Sequence, residues 1–175
     1  MYPVAFKQSR SMIVAAPTGA GKTNVALLAI LRQISEHCPE DSEGPWDLSD
    51  KVFQIVYIAP LKALVRERMD DWGRKFVKGL GLKLMELTGD SAPDARALAT
   101  ADILATTPEK WDGVSRHWQQ RSYVRQVGLV IIDEIHLLGE ERGPILEVIV
   151  SRMRYIATKT DQTVRVVGLS TAMAN

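Results

Sequence analysis

A single cysteine, Cys38, is all the thiol chemistry that the 175-residue sequence holds. That excludes an intrachain disulfide framework and fits a reducing, intracellular setting. The three histidines, His37, His117 and His136, do not fall at metal-ligand spacing with that cysteine. Charge of one sign is also scarce, since 22 basic residues face 21 acidic ones and leave a net charge of +1. No global basic field therefore advertises nucleic acid, and any such site must be a local patch. No apolar run approaches the roughly 20 residues needed to span a membrane. The N-terminus has no basic leader followed by an apolar stretch, so no secretory signal is expected. Internal repeats and low-complexity tracts are lacking too. What is present is ordinary for a globular protein: 46% hydrophobic and 25% charged residues, in a chain long enough for one domain with a real core.

Strand-like apolar runs recur at Met12–Ala16, Phe53–Ala59, Lys83–Leu87, Ile103–Thr106, Val127–Asp133 and Val164–Ser170. Several are near-continuous Val/Ile/Leu runs, as expected of strands covered on both faces. Helical patterns lie between them, at Asn24–Ile34, Leu61–Phe76 and Gly143–Thr158. In the second, Leu61, Leu64, Val65, Met69, Trp72 and Phe76 share one face, which makes Trp72 a packing residue. This alternation predicts an α/β fold with a doubly wound, mostly parallel sheet over residues 1–175. The stretch 35–51 breaks the pattern. It is polar and acidic, with two prolines and a glycine, and reads as a surface loop insertion.

The run Ala16-Pro17-Thr18-Gly19-Ala20-Gly21-Lys22-Thr23 follows the first apolar stretch and precedes the first helical pattern. Strand, glycine loop and helix is the order that a phosphate-binding loop needs. Successive backbone N–H groups in a tight glycine turn can surround a triphosphate, and the following helix points its positive end at it. Lys22 can reach the β- and γ-phosphates, and the Thr23 hydroxyl can ligate Mg²⁺. The strict Walker A pattern has glycine where this chain has Ala16. By itself the run is also compatible with a glycine-rich turn carrying a chance Gly-Lys-Thr.

Val127–Ile132 ends in Asp133 and Glu134, with His136 two residues on. Ligands bind at the C-terminal ends of strands in open α/β sheets. A carboxylate there can hold Mg²⁺, usually through its water shell, and a second can orient and deprotonate a water. Asp133-Glu134 alone would also fit an acidic pair that complements a helix dipole. His136 alone would be a surface or interface histidine.

With Asp133-Glu134-Ile135-His136, a DEIH box, the chain resembles the first RecA-like domain of superfamily 2 DE-x-H helicases. It is most similar to the large eukaryotic tandem-cassette RNA helicases of the spliceosomal and activating-signal-cointegrator type. The motifs stand in family order. The phosphate loop is Ala16 to Thr23, where alanine at position 16 is usual, and Ala59-Pro60-Leu61-Lys62-Ala63-Leu64 is next. Thr88-Gly89-Asp90 and Thr106-Thr107-Pro108-Glu109-Lys110-Trp111-Asp112 follow. Asp133 to His136 continues through Leu137, Leu138 and Glu141-Arg142-Gly143-Pro144, and Ser170-Thr171-Ala172 closes the series. The adenine-reading glutamine motif is not matched by Gln8, which lies too close to the loop.

The resemblance implies a RecA-like P-loop domain that binds ATP through Pro17, Thr18, Gly19, Ala20, Gly21, Lys22, Thr23 and Asn24. Mg²⁺ would be held by Thr23 and Asp133. Lys22, Asp133, Glu134 and His136 would form the catalytic set. Pro60, Lys62, Gly89, Thr107 and Pro108 would meet a single strand of RNA, with DNA as the alternative strand. Taken alone, Lys62 is an ordinary solvated lysine, and Pro60 and Pro108 are loop punctuation. Ser170, Thr171 and Ala172 would couple the nucleotide state to strand binding. Implied partners are a second RecA-like domain and further helicase domains in cis, in a large ribonucleoprotein or multisubunit complex without a membrane. The implied location is the nucleus, in messenger-RNA splicing or a related process. The expected activity is ATP-dependent RNA unwinding, with little turnover by this domain alone. Three other functions compete with it: a non-catalytic cassette that serves as a protein platform, a DNA helicase of the repair or meiotic branch, and a P-loop ATPase without nucleic acid.

Overall fold

The computed structural model describes residues 2–37, 53–91 and 93–171, the side chains of 137–142 excepted. Among the described residues, six strands form one sheet: β1 (Met12–Ala15), β2 (Gln54–Ile58), β3 (Leu84–Leu87), β4 (Ile103–Thr106), β5 (Val127–Ile132) and β6 (Arg165–Ser170). Their order across the sheet is β1-β6-β5-β2-β4-β3. All five pairings are parallel. The expected strands therefore form, each within a residue or two of its anticipated ends, and the sheet is wholly parallel.

Eight α-helical segments among the described residues flank it: α1 (Tyr2–Phe6), α2 (Lys22–Ser35), α3 (Lys62–Trp72), α4 (Lys78–Leu80), α5 (Ala95–Thr100), α6 (Pro108–Ser115), α7 (Ser122–Arg125) and α8 (Gly139–Thr160). The expected helix Leu61–Phe76 is present with a change of pitch. It is α-helical to Trp72 and then widens into a π-turn over Gly73–Val77. Helix α8 begins four residues before the anticipated Gly143, because its apolar period starts only after its first turn. Ser35, expected to open a surface loop, instead ends α2, and its hydroxyl donates to the Arg32 carbonyl at 2.8 Å. The rest of that loop, from residue 38 to 51, lies outside the described residues, as does Ala172.

Alternation along the strands sends successive side chains to opposite faces. One face gathers Val14, Ile55, Tyr57, Ile103, Leu129, Ile131, Val167 and Leu169 against α1, α2 and α3. The other gathers Val56, Ile58, Leu87, Leu104, Val130 and Ile132 against α5 to α8. Burying each such side chain is worth about 1.5–3 kcal/mol against leaving it in water. Trp72 is fully buried and meets Tyr57 edge-on, with ring centroids 4.9 Å apart, so its expected packing role holds. Trp111 is buried in the second core.

At the N-terminal ends of the strands, buried Arg165 donates to the carbonyls of Arg10, Ala5 and Val4. These bonds fasten α1 to β6. The opposite rim, where all six strands end, is left to the loops that carry the motifs.

Candidate nucleotide pocket and strand-binding rim

Parallel pairing places the C-terminal end of every strand on one rim, and the strand order divides that rim in two. β1, β6 and β5 lie together, so the loops at 16–23, 133–136 and 170–171 are neighbours. β2, β4 and β3 form the other half, so Pro60, Lys62, Gly89, Thr107 and Pro108 are neighbours there. The two groups of motif residues thus occupy adjoining sectors of one edge.

In the first sector, a cavity of about 380 Å³ is lined by Thr18, Gly19, Gly21, Lys22, Thr23, Leu64, Glu67, Arg68, Asp133 and Glu134. The glycine loop and the distant acidic pair therefore share one pocket. Gly19 and Gly21 sit at φ +82° and +86°, a left-handed conformation that a Cβ would strain. Lys22 begins α2, is buried, and its ammonium donates to the carbonyls of Ala16 at 2.9 Å and Pro17 at 3.2 Å. Pro17, Ala20 and Asn24 lie beside the lining, on the exposed turn of the loop and the first turn of α2.

Asp133 is held from three directions. Its own N–H donates to Ile58 O at 2.8 Å, its Oδ1 accepts the Glu134 N–H at 2.9 Å, and its Oδ2 accepts the Tyr57 hydroxyl at 2.6 Å. Burial, and then the negative charge of Asp133, push the Tyr57 hydroxyl far above its ordinary range, so it remains a donor. Glu134 adopts φ +49°, which for a residue with a Cβ costs about 1–2 kcal/mol. This turn follows β5 directly, and both carboxylates line the pocket.

Glu134 Oε2 is buried without a hydrogen-bond partner. The His136 Nδ1 lies 3.4 Å from it, yet the same nitrogen accepts the Thr171 N–H at 3.2 Å. A ring nitrogen that accepts one hydrogen bond does not also donate one, so this contact leaves the carboxylate oxygen unmatched. His136 therefore stands between the acidic pair and the segment after β6. Ser170 is adjacent. Its carbonyl accepts the Ala16 N–H at 3.1 Å, and its buried hydroxyl has no partner. The phosphate loop, acidic motif and coupling motif are thus one hydrogen-bonded neighbourhood.

The pocket fits a metal–triphosphate on its own chemistry. It combines a glycine turn in left-handed geometry, a lysine and a hydroxyl on the first turn of a helix, and an unmatched buried carboxylate oxygen. A larger groove, of about 610 Å³, lies between β1, β6 and α8. Its lining is apolar except for Ser11, Glu147 and Arg154; it takes in Ile135 of the acidic motif but none of the residues assigned to nucleotide, metal or strand.

In the second sector, Lys62 opens α3 and Gly89 follows β3; both are exposed. Pro60, Thr107 and Pro108 are buried, and Pro108 starts α6. Asp90 accepts from Lys62 at 2.7 Å and from Arg66 at 3.0 Å. The Lys62 hydrogen bond and charge, with Arg66 adding to them, hold the Asp90 carboxyl below its usual range. Arg66, Arg68 and Tyr57 were not singled out in the sequence. The signal for Arg68 was its helical spacing: Leu64, Glu67 and Arg68 are i, i+3 and i+4 on α3, one face turned to the pocket. Nothing in the strand pattern marks Tyr57, whose partner is 76 residues away.

The fold is that of a RecA-like α/β domain with its motif loops on the C-terminal rim. Residues 2–175 match the DEAD/DEAH box helicase family model, and the chain belongs to that family. It is 56% identical over 165 residues to the human activating signal cointegrator 1 complex subunit 3, covering 94% of this chain and 7% of that protein. The Dictyostelium discoideum protein of the same name is 53% identical over all 175 residues, again 7% of its length. The Arabidopsis thaliana DExH-box ATP-dependent RNA helicase DExH13 is 48% identical across the whole chain and 8% of its own. The chain thus spans less than a tenth of these relatives. Among solved structures, the DUF1998 helicase MrfA superposes with a TM-score of 0.80 at 20% identity, covering 99% of this chain and 27% of that one. MrfA bound to DNA and AMPPNP gives 0.76 at 19% identity, covering 99% of this chain and 24% of that one.

Proposed function

We propose that this chain is the ATP-binding first RecA-like domain of an ATP-dependent RNA helicase, and that it couples ATP turnover to movement along a single strand. The observation that carries this reading is the shared pocket of Lys22, Thr23, Asp133 and Glu134. ATP with Mg²⁺, when bound, supplies the phosphoanhydride whose cleavage drives the cycle. Lys22 and the loop N–H groups, those of Thr18 to Asn24 included, bind phosphate oxygens. Thr23 Oγ1 and the Asp133 carboxylate hold the metal, and Tyr57 keeps that carboxylate oriented. Glu134 Oε2, unmatched in the pocket, takes the proton of the attacking water. His136 passes the state of that carboxylate to Thr171, because its Nδ1 faces both. Lys62 and the backbone at Gly89 hold strand phosphates, which positions a strand without reading its sequence. Thr107 and the two prolines, Pro60 and Pro108, shape that surface.

The proposal includes a second RecA-like domain in cis that supplies arginine fingers, each worth about 10³–10⁵ in rate. Without it, this domain binds nucleotide weakly, hydrolyses little ATP and unwinds nothing. RNA as the strand draws support from the name of the Arabidopsis relative. Work within a multisubunit complex draws support from the name of the human relative, and a nuclear or ribonucleoprotein setting from the motif resemblance alone.

Glu134→Gln in the parent protein tests the reading. Nucleotide binding should persist while RNA-stimulated turnover falls by at least about 10²-fold. Near-normal turnover would remove Glu134 as the base.

A further inference from the structure

Arg68 belongs to none of the motifs, yet its guanidinium lines the pocket beside Thr23. Its side chain is only 15% exposed. Nη1 donates to the Thr23 hydroxyl at 3.4 Å, a long bond, and Nη2 donates to Glu67 on the same helix. Asp71 Oδ2 also lies 3.9 Å from Nη1, an ion pair beyond hydrogen-bond length, so the two hydrogen bonds leave most of the guanidinium's N–H donors for a further acceptor. Its charge also reaches the Tyr57 hydroxyl that orients Asp133.

The charges around the pocket show what this cation is for. Three carboxylates line it: Glu67, Asp133 and Glu134. Against them stand Lys22, already engaged by two backbone carbonyls, and Arg68. Without Arg68, a polyanion would enter a cavity with a single tethered cation and three acids. A planar guanidinium matches phosphate oxygens in bidentate geometry better than it matches a lone hydroxyl. Glu67, one residue away, is a holding partner that keeps the guanidinium at the mouth and loses little when it leaves, because it is itself exposed.

We propose that Arg68 is a phosphate-binding residue of this pocket, supplied in cis by α3, and that a nucleoside triphosphate draws its guanidinium off Thr23 and Glu67. The inference rests on the nucleotide-pocket reading above. It adds a residue that would discriminate the triphosphate from the diphosphate, because its guanidinium stands at Thr23, the residue that would hold the metal, and a triphosphate brings more negative charge to that cation.

The test is calorimetric titration of the 175-residue chain with Mg-ATP and with Mg-ADP, for wild type, R68M, R68K and K22A. R68M keeps an apolar stem and loses the charge. Its affinity for Mg-ATP should fall by about tenfold or more, the loss of one charge-assisted contact, with a smaller fall for Mg-ADP. R68K keeps the charge without the planar fork and should lie between R68M and wild type. It also keeps the proposal testable should R68M fold poorly. R68M and R68K that bind both nucleotides as wild type does, or bind Mg-ATP more tightly, would overturn the assignment while a weakened K22A left the pocket reading standing. Indistinguishable binding by wild type and K22A would overturn the pocket reading, and this inference with it.

Discussion

Tyr57 donates to Asp133 from the strand beside β5, in a part-buried bond to a carboxylate that lines the pocket. Its phenol is pushed above its ordinary value of 10.0, by burial first and the Asp133 charge next. A group whose folded value is raised gives stability that is complete below the unfolded value and is lost as pH rises beyond it. Wild type should therefore lose stability above about pH 10 more steeply than Tyr57→Phe, read as urea midpoints across that range. At neutral pH the substitution itself should cost about 1–3 kcal/mol, as for a hydrogen bond to a charged partner. Parallel pH profiles for the two proteins would show that folding does not raise the phenol. Single residues divide by how visible they were in the sequence. Lys22, Thr23, Asp133 and Glu134 stood out because each follows a strand pattern, while His136 entered only with the motif resemblance. Tyr57 and Arg68 were not, because their roles arise from contacts between β2, α3 and loops far apart in the chain.

Between elements, the joint of α6 with α8 is made by charge. Arg152 of α8 donates to the Asp112 carboxylate at 2.8 Å, to its carbonyl at 3.2 Å and to Ser115 Oγ at 2.8 Å, while Arg116 adds a bond at 2.6 Å. Burial pushes the Asp112 carboxyl up, but the Arg116 and Arg152 hydrogen bonds and charges outweigh it, and the group sits below its ordinary 3.8. A depressed carboxylate contributes stability that is present above the unfolded value and is lost as pH falls through the folded one. Acid unfolding below about pH 4 should therefore include this joint, and Asp112→Asn should flatten the stability curve there. An identical acid limb for Asp112→Asn would contradict the assignment. The elements themselves were legible to different degrees. The long apolar strands announced themselves because both faces are covered. Helices α5 and α7, of 6 and 4 residues, are too short for a period to emerge. The π-turn at Gly73–Val77 lay hidden because Phe76 stays on the apolar face whichever pitch the helix takes.

Across the whole molecule, strand order turns separate motifs into two adjoining sites. β1, β6 and β5 carry the triphosphate loops, while β2, β4 and β3 carry the loops assigned to a strand. α3 spans both, with Lys62 at its start and Arg68 in the pocket. That order could not be read from the sequence, since strand patterns give number and direction but not neighbours. The rim could, because parallel strands must all end on one side. Asp90 now holds Lys62 and Arg66. Asp90→Asn should tighten binding of a single-stranded RNA by roughly twofold to tenfold at low salt, where phosphate contacts count most. Unchanged binding in fluorescence anisotropy would remove this surface from the strand path. The central claim, one metal–triphosphate pocket built from Thr23 and Asp133 together, is tested most directly by titrating ATP with and without Mg²⁺ into wild type and Asp133→Asn. Wild type should bind more tightly with Mg²⁺ present, and Asp133→Asn should erase most of that difference. The same Mg²⁺ dependence in both proteins would contradict the claim.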